Sequence, residues 1–263
     1  MRQRVIDDWT GTVAADSTEC LSFELRGPWG HFRRVEGNIV KQTYRIPPRT
    51  TVAGIVAAML GLDRDSYYDA FGPEHSAVAV EPLTELRTMN LPQNTLSTAK
   101  EHMKTVPTRG HARISLPDPT ELRQQHNYEV LVDPAYRVDL CLDDEELYNR
   151  LRERLKSGTS YYPPSLGLSE HLAEVVYLGT HEVEPCGVAD ADLESVVVEA
   201  VGDVEPQADS PVRVERSPSF MEADGEGRTT TAFTSIAYSP EAETVRVRDA
   251  ETSRVDGRRV MFS

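Results

Sequence analysis

The stretch whose residue types fit a defined chemistry is a basic, aromatic-bearing segment at residues 26–49. It holds six basic residues and one acidic residue, Glu36, and therefore carries a net charge of +5. Basic side chains bind phosphates, and neighbouring aromatic rings stack on unpaired bases, as in proteins that bind single-stranded RNA. The candidate RNA-binding residues of this segment are Arg26, Trp29, His31, Phe32, Arg33, Arg34, Lys41, Tyr44, Arg45 and Arg49.

A second basic segment lies at residues 87–127, with six basic and three acidic residues and a net charge of +3. It adds Lys100, Lys104, Arg109 and Arg113 to the candidate RNA-binding residues. Because the whole chain has a net charge of −15, the residues outside the two segments carry −23. The alternative interpretation is that these arginines pair with nearby acidic residues. His31 also has two interpretations, stacking on a base or hydrogen bonding to a loop carbonyl.

The acidic composition argues against general affinity for anionic surfaces and fits a cell with high internal salt. In such a cell, stacking and hydrogen bonds carry more of any RNA binding, since salt weakens phosphate contacts. The most apolar stretch, residues 51–62, is far below the roughly 20 residues that span a bilayer. Three widely separated cysteines, Cys20, Cys141 and Cys186, form no disulfide framework. These features predict a cytoplasmic protein that does not bind membranes.

Metal and nucleotide chemistry have no sequence support. The seven histidines are scattered, and the chain contains no HxxxH or CxxC pattern of the kind that ligates metals. No GxxxxGK[ST] or GxGxxG motif is present either. We therefore expect no metal site and no cofactor.

Hydrophobic periodicity predicts an α+β fold whose elements position these candidate residues. The first predicted helix is capped by Thr50 or Thr51 and ends at Gly61. Its small residues permit close packing on a sheet. The other predicted elements are strands at 20–26, 75–87, 127–132, 136–142 and 174–184 and a helix at 143–156, with residues 88–127 irregular. The resulting βαββαβ order predicts a ferredoxin-like (RRM-like) sheet with helices on one face.

The chain changes character near residue 187. An acidic stretch is followed by short β-prone runs. The sequence therefore predicts two units, a ferredoxin-like domain at residues 1–186 with a long insertion at about 88–127, and a small strand-rich C-terminal lobe at residues 187–263.

Two sequence signatures resemble a known family. The segments GPWGHFRR (27–34) and YRIPPRTTVAGIVAAMLG (44–61) are similar to the N-terminal signature of the fifth Cas protein family, a branch of the RAMP superfamily. The segment PPSLGLSEHLAEV (163–175) resembles its second signature, around a Gly-Ser turn. The insertion at 87–110 and the acidic composition resemble the haloarchaeal type I-B subgroup.

This resemblance implies a subunit of a Cascade-type CRISPR effector complex in antiviral defence. Such a subunit holds the 5′ handle of the guide crRNA, and the insertion at 88–127 corresponds to the family's thumb. The implied protein partners are the backbone, large and processing subunits of the complex, with target DNA contacted indirectly. The resemblance predicts a non-catalytic, RNA-binding role.

Two alternatives remain open. The type I-C branch of the family is a metal-independent endoribonuclease that processes pre-crRNA through a Tyr–Lys–His set, which Tyr44, Lys100 and His102 resemble. Glu101 separates Lys100 from His102, and this departure argues against cleavage. The other alternative is a scaffold whose basic loops bind only an acidic partner protein.

Overall fold

The computed structural model describes residues 19–34, 40–96, 103–107, 113–117, 123–205, 207, 210–223 and 227–263. Within these ranges the helices are α1 (Arg49–Leu60) and α2 (Glu145–Ser157). The strands are β1 (Glu19–Arg26), β2 (Trp29–Gly30), β3 (Phe32–Arg33), β4 (Val40–Lys41), β5 (Thr43–Tyr44), β6 (Ser76–Pro82), β7 (Arg87–Leu96), β8 (Met103–Pro107), β9 (Arg113–Pro117), β10 (Arg123–Val132), β11 (Ala135–Leu142), β12 (Glu174–Leu193), β13 (Val197–Val198), β14 (Arg213–Ala223), β15 (Arg228–Tyr238), β16 (Val245–Val255) and β17 (Arg258–Val260). The fold is therefore α+β, with few helices and mostly antiparallel sheets.

The central sheet has six strands in the order β17-β16-β12-β1-β11-β6, and every neighbouring pair is antiparallel. Alternation along β1 places Leu21, Phe23 and Leu25 on the face that packs against the helices, where all three are fully buried. The strand predicted at residues 20–26 is thus confirmed.

Both predicted helices form, with different N-terminal caps. Asp144 caps α2, because its carboxylate accepts a hydrogen bond from the Leu147 N–H at 3.0 Å. Helix α1 begins at Arg49, with Pro48 at the cap position and no side-chain cap among the described residues, so neither predicted threonine cap is used. The predicted end of α1 is confirmed, since Gly61 takes a left-handed conformation with φ of 71°.

Of the segment predicted as irregular, residues 88–127, the parts that the structure describes are extended. Strand β7 pairs with β10 over ten residues, from Arg87 opposite Val132 to Leu96 opposite Arg123, and β8 pairs with β9. The prolines of this segment were the reason for predicting irregular structure. Pro92 lies within β7, which pairs with β10 and has no other partner strand among the described residues, and an edge strand tolerates the missing N–H. Strands β10 and β11 follow each other closely in sequence but belong to different sheets.

The predicted division at residues 186 and 187 falls inside β12. The first half of this strand pairs with β1, and the second half pairs with β16 from Val183 opposite Val255 onward. Gly187 has φ of 66° and lies at a bulge, which absorbs the Pro185-to-Gly187 irregularity without ending the strand. The C-terminal strands therefore extend the central sheet.

A second, smaller core lies in the region that the C-terminal strands share with the central sheet. It consists of Cys20, Ala77, Ala79, Cys141, Val183, Val255, Val260 and Phe262. Cys20 and Cys141 are both buried in it. The remaining C-terminal hairpin, β14 and β15, packs against α1.

Candidate nucleic-acid interface

The two signature segments meet in the folded chain. The His31 N–H donates a hydrogen bond to the Leu166 carbonyl at 2.9 Å, and Leu166 is fully buried. Gly167 has φ of +95°, and a Cβ there would lie 1.9 Å from the His31 carbonyl oxygen. Only glycine combines this backbone conformation with so close an approach. Residues that lie more than one hundred positions apart in sequence thus form one continuous surface.

A groove of about 610 Å³ opens beside this junction. Its walls come from β3, the first turns of α1, the loop at residues 163–168 and the hairpin of β14 and β15. Arg33 and Arg228 are the cationic side chains that line it. Arg33 is exposed and, among the described residues, makes no ion pair, whereas Arg228 lies 3.7 Å from Asp65 and is 46% exposed. The groove can therefore accept an anionic chain.

Helix α1 adds positive potential to the same groove. Pro48, Thr50 and Thr51 from its start line the groove, and its first turn contains no acidic residue. An uncapped helix N-terminus carries partial positive charge and orients N–H groups toward anions. Gly54 and Ala58 lie farther along the same wall. Other small residues of the helix, Ala53 and Ala57, are buried.

Four of the predicted RNA-binding side chains are buried and have structural roles. Phe32 and Tyr44 are 2% and 4% exposed and belong to the main core. His31 is 1% exposed, and its Nδ1 lies 2.8 Å from the Glu129 carbonyl oxygen, so it contacts a backbone carbonyl, although that carbonyl belongs to strand β10 and not to a loop. Arg49, 6% exposed, donates to carbonyl oxygens within the protein. His31 and Phe32 border the groove, but side chains buried to this degree offer no open ring face on which a base could stack.

Three further arginines of the first segment are ion-paired with acids that are distant in sequence. The pairs are Arg26 with Glu174 at 2.8 Å, Arg45 with Glu129 at 2.8 Å and Arg34 with Glu215 at 3.8 Å. The acid-poor sequence of this segment therefore does not produce an acid-poor environment. RNA binding by these arginines would compete with existing partners.

The remaining candidates are distributed unevenly. Trp29 lies in β2 and Lys41 in β4, and both side chains are half-buried. Lys104 lies in β8 and Arg113 begins β9. The residues Lys100, His102 and Arg109 lie outside the described residues. Arg33 is thus the candidate from the sequence that the structure places, exposed, in the groove.

Comparison with known proteins assigns the family. The family model described as CRISPR-associated protein (Cas5) matches residues 20–216, three quarters of the chain. The chain belongs to the Cas5 family. The match runs past the end of the second signature and into β14. It confirms the family that the two signature segments indicated.

Solved structures similar to this Cas5-family protein show the same fold. A chain described under "CRISPR RNA-guided surveillance complex" is 15% identical, with a TM-score of 0.51 over 86% of this chain and 91% of that chain. A CRISPR protein from Archaeoglobus fulgidus is also 15% identical, with a TM-score of 0.52 over 92% of this chain and 98% of that chain. Among curated proteins, none gives a significant match.

Sequence reasoning missed two groove residues of this Cas5-family protein. Arg228 begins β15, in the region predicted to form a separate lobe, and nothing in its local sequence indicates a binding role. Tyr67 lines the groove, and its ring lies 4.9 Å from that of Tyr68 and 6.1 Å from that of Phe71. The adjacent tyrosines were a visible signal, because paired aromatic rings can both pack and face a ligand.

The part of the chain that the structure describes contains neither a cluster of metal-ligating side chains nor a membrane-spanning helix. No three His, Cys, Asp or Glu side chains of the described residues come together as metal ligands. In the same ranges, no helix is both long enough and apolar enough to cross a bilayer.

Acidification is expected to destabilise the protein through two buried histidines near the signature junction. His31 and His171 are 1% and 4% exposed, and burial lowers the pKa of each below its ordinary value of 6.5. Below pH 6.5 the unfolded chain therefore binds protons that the folded chain does not. The contribution of the two histidines to the free energy of unfolding is fully present above pH 6.5. It decreases as the pH falls from 6.5 toward their folded-state pKa values.

Urea unfolding at neutral and mildly acidic pH measures this effect. The variant His171→Gln carries no titrating ring, so its unfolding free energy should fall less on acidification than that of the wild type. An identical fall in both proteins contradicts a contribution from His171.

Proposed function

We propose that this Cas5-family protein is a non-catalytic RNA-binding subunit of a type I CRISPR effector complex of the Cascade type, and that it holds the 5′ handle of the guide crRNA. The observation that carries the proposal is the groove in which Arg33, Arg228 and the uncapped start of α1 converge beside the signature junction. A strand of phosphates complements this arrangement, since arginine forks and helix N-termini both bind phosphate oxygens.

The fold supports the same proposal. The strands β12, β1, β11 and β6 lie side by side in that order, with α1 between β1 and β6 in sequence and α2 between β11 and β12. This is the arrangement that a split βαβ unit of ferredoxin-like type requires. We infer that these elements form a ferredoxin-like RAMP domain, with the β7–β10 region as the thumb.

The proposed setting follows from the family. The partners are the backbone, large and processing subunits of the complex, and contact with target DNA is indirect. We place the protein in the cytoplasm of an organism with high internal salt, in agreement with its net charge of −15.

Replacing both groove arginines is expected to weaken RNA binding without unfolding the protein. The double variant Arg33→Ala/Arg228→Ala should lose about tenfold to a hundredfold in affinity for handle RNA, because it removes two charge-assisted phosphate contacts. The dependence of log Kd on log salt concentration should also become shallower by about 1 to 2. Fluorescence anisotropy with labelled RNA over a range of salt concentrations measures both quantities.

A matched control is Arg254→Ala. Arg254 is 50% exposed on β16, where it lies 3.9 Å from Glu184, and it does not line the groove. Together with Arg248→Ala, at another exposed position outside the groove, this substitution removes two surface charges, as the test variant does, and should leave affinity nearly unchanged. Equal losses in the control and the double variant would indicate a general charge effect and would remove the groove assignment.

We also propose that the protein does not cleave RNA. Burial of Tyr44, at 4% exposure, supports this, because a catalytic phenol must reach the reacting 2′-hydroxyl or phosphate. Incubation of the full chain with repeat RNA in EDTA tests the proposal. Cleavage that Tyr44→Phe abolishes would establish the metal-independent endoribonuclease instead.

The scaffold alternative has a different experimental signature. If the basic segments bind only an acidic partner protein, the assembled complex should survive ribonuclease treatment, and purified native complex should carry no guide RNA. Copurifying guide RNA whose removal weakens subunit association supports the RNA-binding role.

A further inference from the structure

Two exposed aromatic rings, Tyr161 and Tyr162, lie just beyond the C-terminal end of α1. Their side chains are 61% and 53% exposed, and the ring centroids are 4.8 Å apart at an interplanar angle of 75°. The other exposed aromatic side chain in the described ranges, Phe233, has the Arg216 guanidinium over its ring at 4.8 Å. Within those ranges, no cation lies over either tyrosine ring. Their exposure therefore calls for an explanation other than packing.

The backbone holds both rings in place. The Tyr161 N–H donates to the Met59 carbonyl at 3.0 Å, and the Tyr162 N–H donates to the Ala58 carbonyl at 3.1 Å. These bonds tie the backbone of both tyrosines to the last turn of α1, where the Ala58 carbonyl also accepts a hydrogen bond from the Gly61 N–H at 3.2 Å. A Cβ at Gly61 would lie 2.5 Å from Cγ of Tyr161, so this ring rests directly on the glycine backbone. A surface fixed in this way binds with little loss of conformational entropy.

The tyrosine pair is continuous with the RNA groove. Ala58 and Pro163 line the groove, and Tyr162 is bonded to the first and adjacent to the second. Helix α1 forms the wall between the groove entrance at its N-terminus and the pair at its C-terminus, a length of about 18 Å for twelve residues. At the same end, Nη2 of Arg150 donates to the Leu60 carbonyl at 3.0 Å. This side chain is 45% exposed, and its Nη1 lies 3.8 Å from the exposed Glu146 carboxylate, with which a phosphate would compete.

We propose that the RNA strand bound in the groove continues along α1 and that one or two of its bases stack on Tyr161 and Tyr162, with Arg150 beside the adjacent phosphate. This inference rests on the proposed function and extends its site. Aromatic rings beside a cation are what sequence-tolerant binding of single strands uses. Two rings and one arginine are too small for a stable protein interface, which needs about 800 Å² on each partner.

The test measures affinity as a function of RNA length in the full-length protein. Single-stranded RNAs that contain the handle are lengthened one nucleotide at a time from either end and titrated at fixed salt. The variants are Tyr161→Ala/Tyr162→Ala, which removes the rings, and Tyr161→Phe/Tyr162→Phe, which retains them. A fluorescent adenine analogue, 2-aminopurine, placed at each added position reports stacking by quenching.

In the wild type and the phenylalanine variant, one added nucleotide should raise the affinity at least about fivefold and quench the analogue. The alanine variant should lose both effects and still bind the shortest handle RNA with wild-type affinity. If the alanine variant shows the same affinity gain and quenching as the wild type, the inference is overturned. It is also overturned if the alanine variant is impaired only in subunit assembly.

The same measurements distinguish failure of the proposed RNA-binding function from failure of the stacking site alone. If the wild type binds no RNA of any length, the proposed function fails and the stacking site fails with it. If Arg33→Ala/Arg228→Ala weakens every RNA equally while the tyrosine substitutions have no effect, the groove stands and the stacking site alone is lost.

Discussion

The variant Gly167→Ala is expected to lose about 3–5 kcal/mol of folding stability, the sum of backbone strain and overpacking. The strain arises because Gly167 has φ of +95°, which a residue with a Cβ adopts only at a cost. The overpacking arises because the new Cβ would lie 1.9 Å from the His31 carbonyl oxygen, so backbone has to move. Urea unfolding followed by circular dichroism measures the loss.

The matched control is Gly158→Ala. Gly158, at the end of α2, has φ of +62°, and a Cβ added there would have no described atom within 4 Å, so this substitution introduces strain without a clash. It should cost only about 1 kcal/mol. The same variants should differ in RNA affinity, since Gly167 supports the groove wall and Gly158 does not line the groove. Equal stability of the two variants would contradict the tight junction between the signature segments.

The variant Arg49→Ala is expected to cost about 3–5 kcal/mol, because it leaves several buried carbonyl oxygens without a charged donor. Nη2 of Arg49 lies 2.8 Å from the Ser76 carbonyl and 3.2 Å from the Phe71 carbonyl, and Nη1 donates to Ser263. The guanidinium also lies 4.8 Å from the Phe220 ring centroid. Burial lowers the pKa of Arg49 to about 10, so the group is still charged at neutral pH.

Two substitutions separate this role from RNA binding. Arg49→Lys should recover less than half of the loss, since one ammonium group cannot reach carbonyls that a planar guanidinium bridges. Arg33→Ala, at an exposed position of the same basic segment, should change stability by no more than about 0.5 kcal/mol and weaken RNA binding. If Arg49→Ala were as stable as Arg33→Ala but bound RNA more weakly, Arg49 would be an RNA contact, as its sequence context suggested.

The contrast between Arg33 and Arg49 shows why the basic segment was hard to interpret residue by residue. Both are arginines in a stretch with a net charge of +5, and sequence offers no signal that separates them. One is exposed in the groove, whereas the other is 6% exposed beneath β14 and β15. The difference depends on a hairpin that lies about 170 residues farther along the chain.

The pairing of the other arginines in this segment with acids also depends on elements that are distant in sequence. The segment at 26–49 contains a single acid, yet its residues Arg26, Arg34 and Arg45 each have an ion-pair partner that β12, β14 or β10 supplies. A net charge over a window measures sequence neighbours, while the potential at a surface depends on spatial neighbours. Counting charges along the sequence therefore overestimated how many cations of the basic segment are available at the surface.

By itself, the sequence determined the local elements and the family of this protein. Alternation in β1, the apolar stripe and acid-first charge order of α2, and the glycine that ends α1 are properties of short windows, which periodicity and capping encode directly. Only the tertiary structure decided that residues 163–168 close on His31, that β12 continues through the predicted boundary, and that Arg228 completes a groove with Arg33. These features depend on contacts between residues far apart in the chain, and packing of the whole fold selects such contacts.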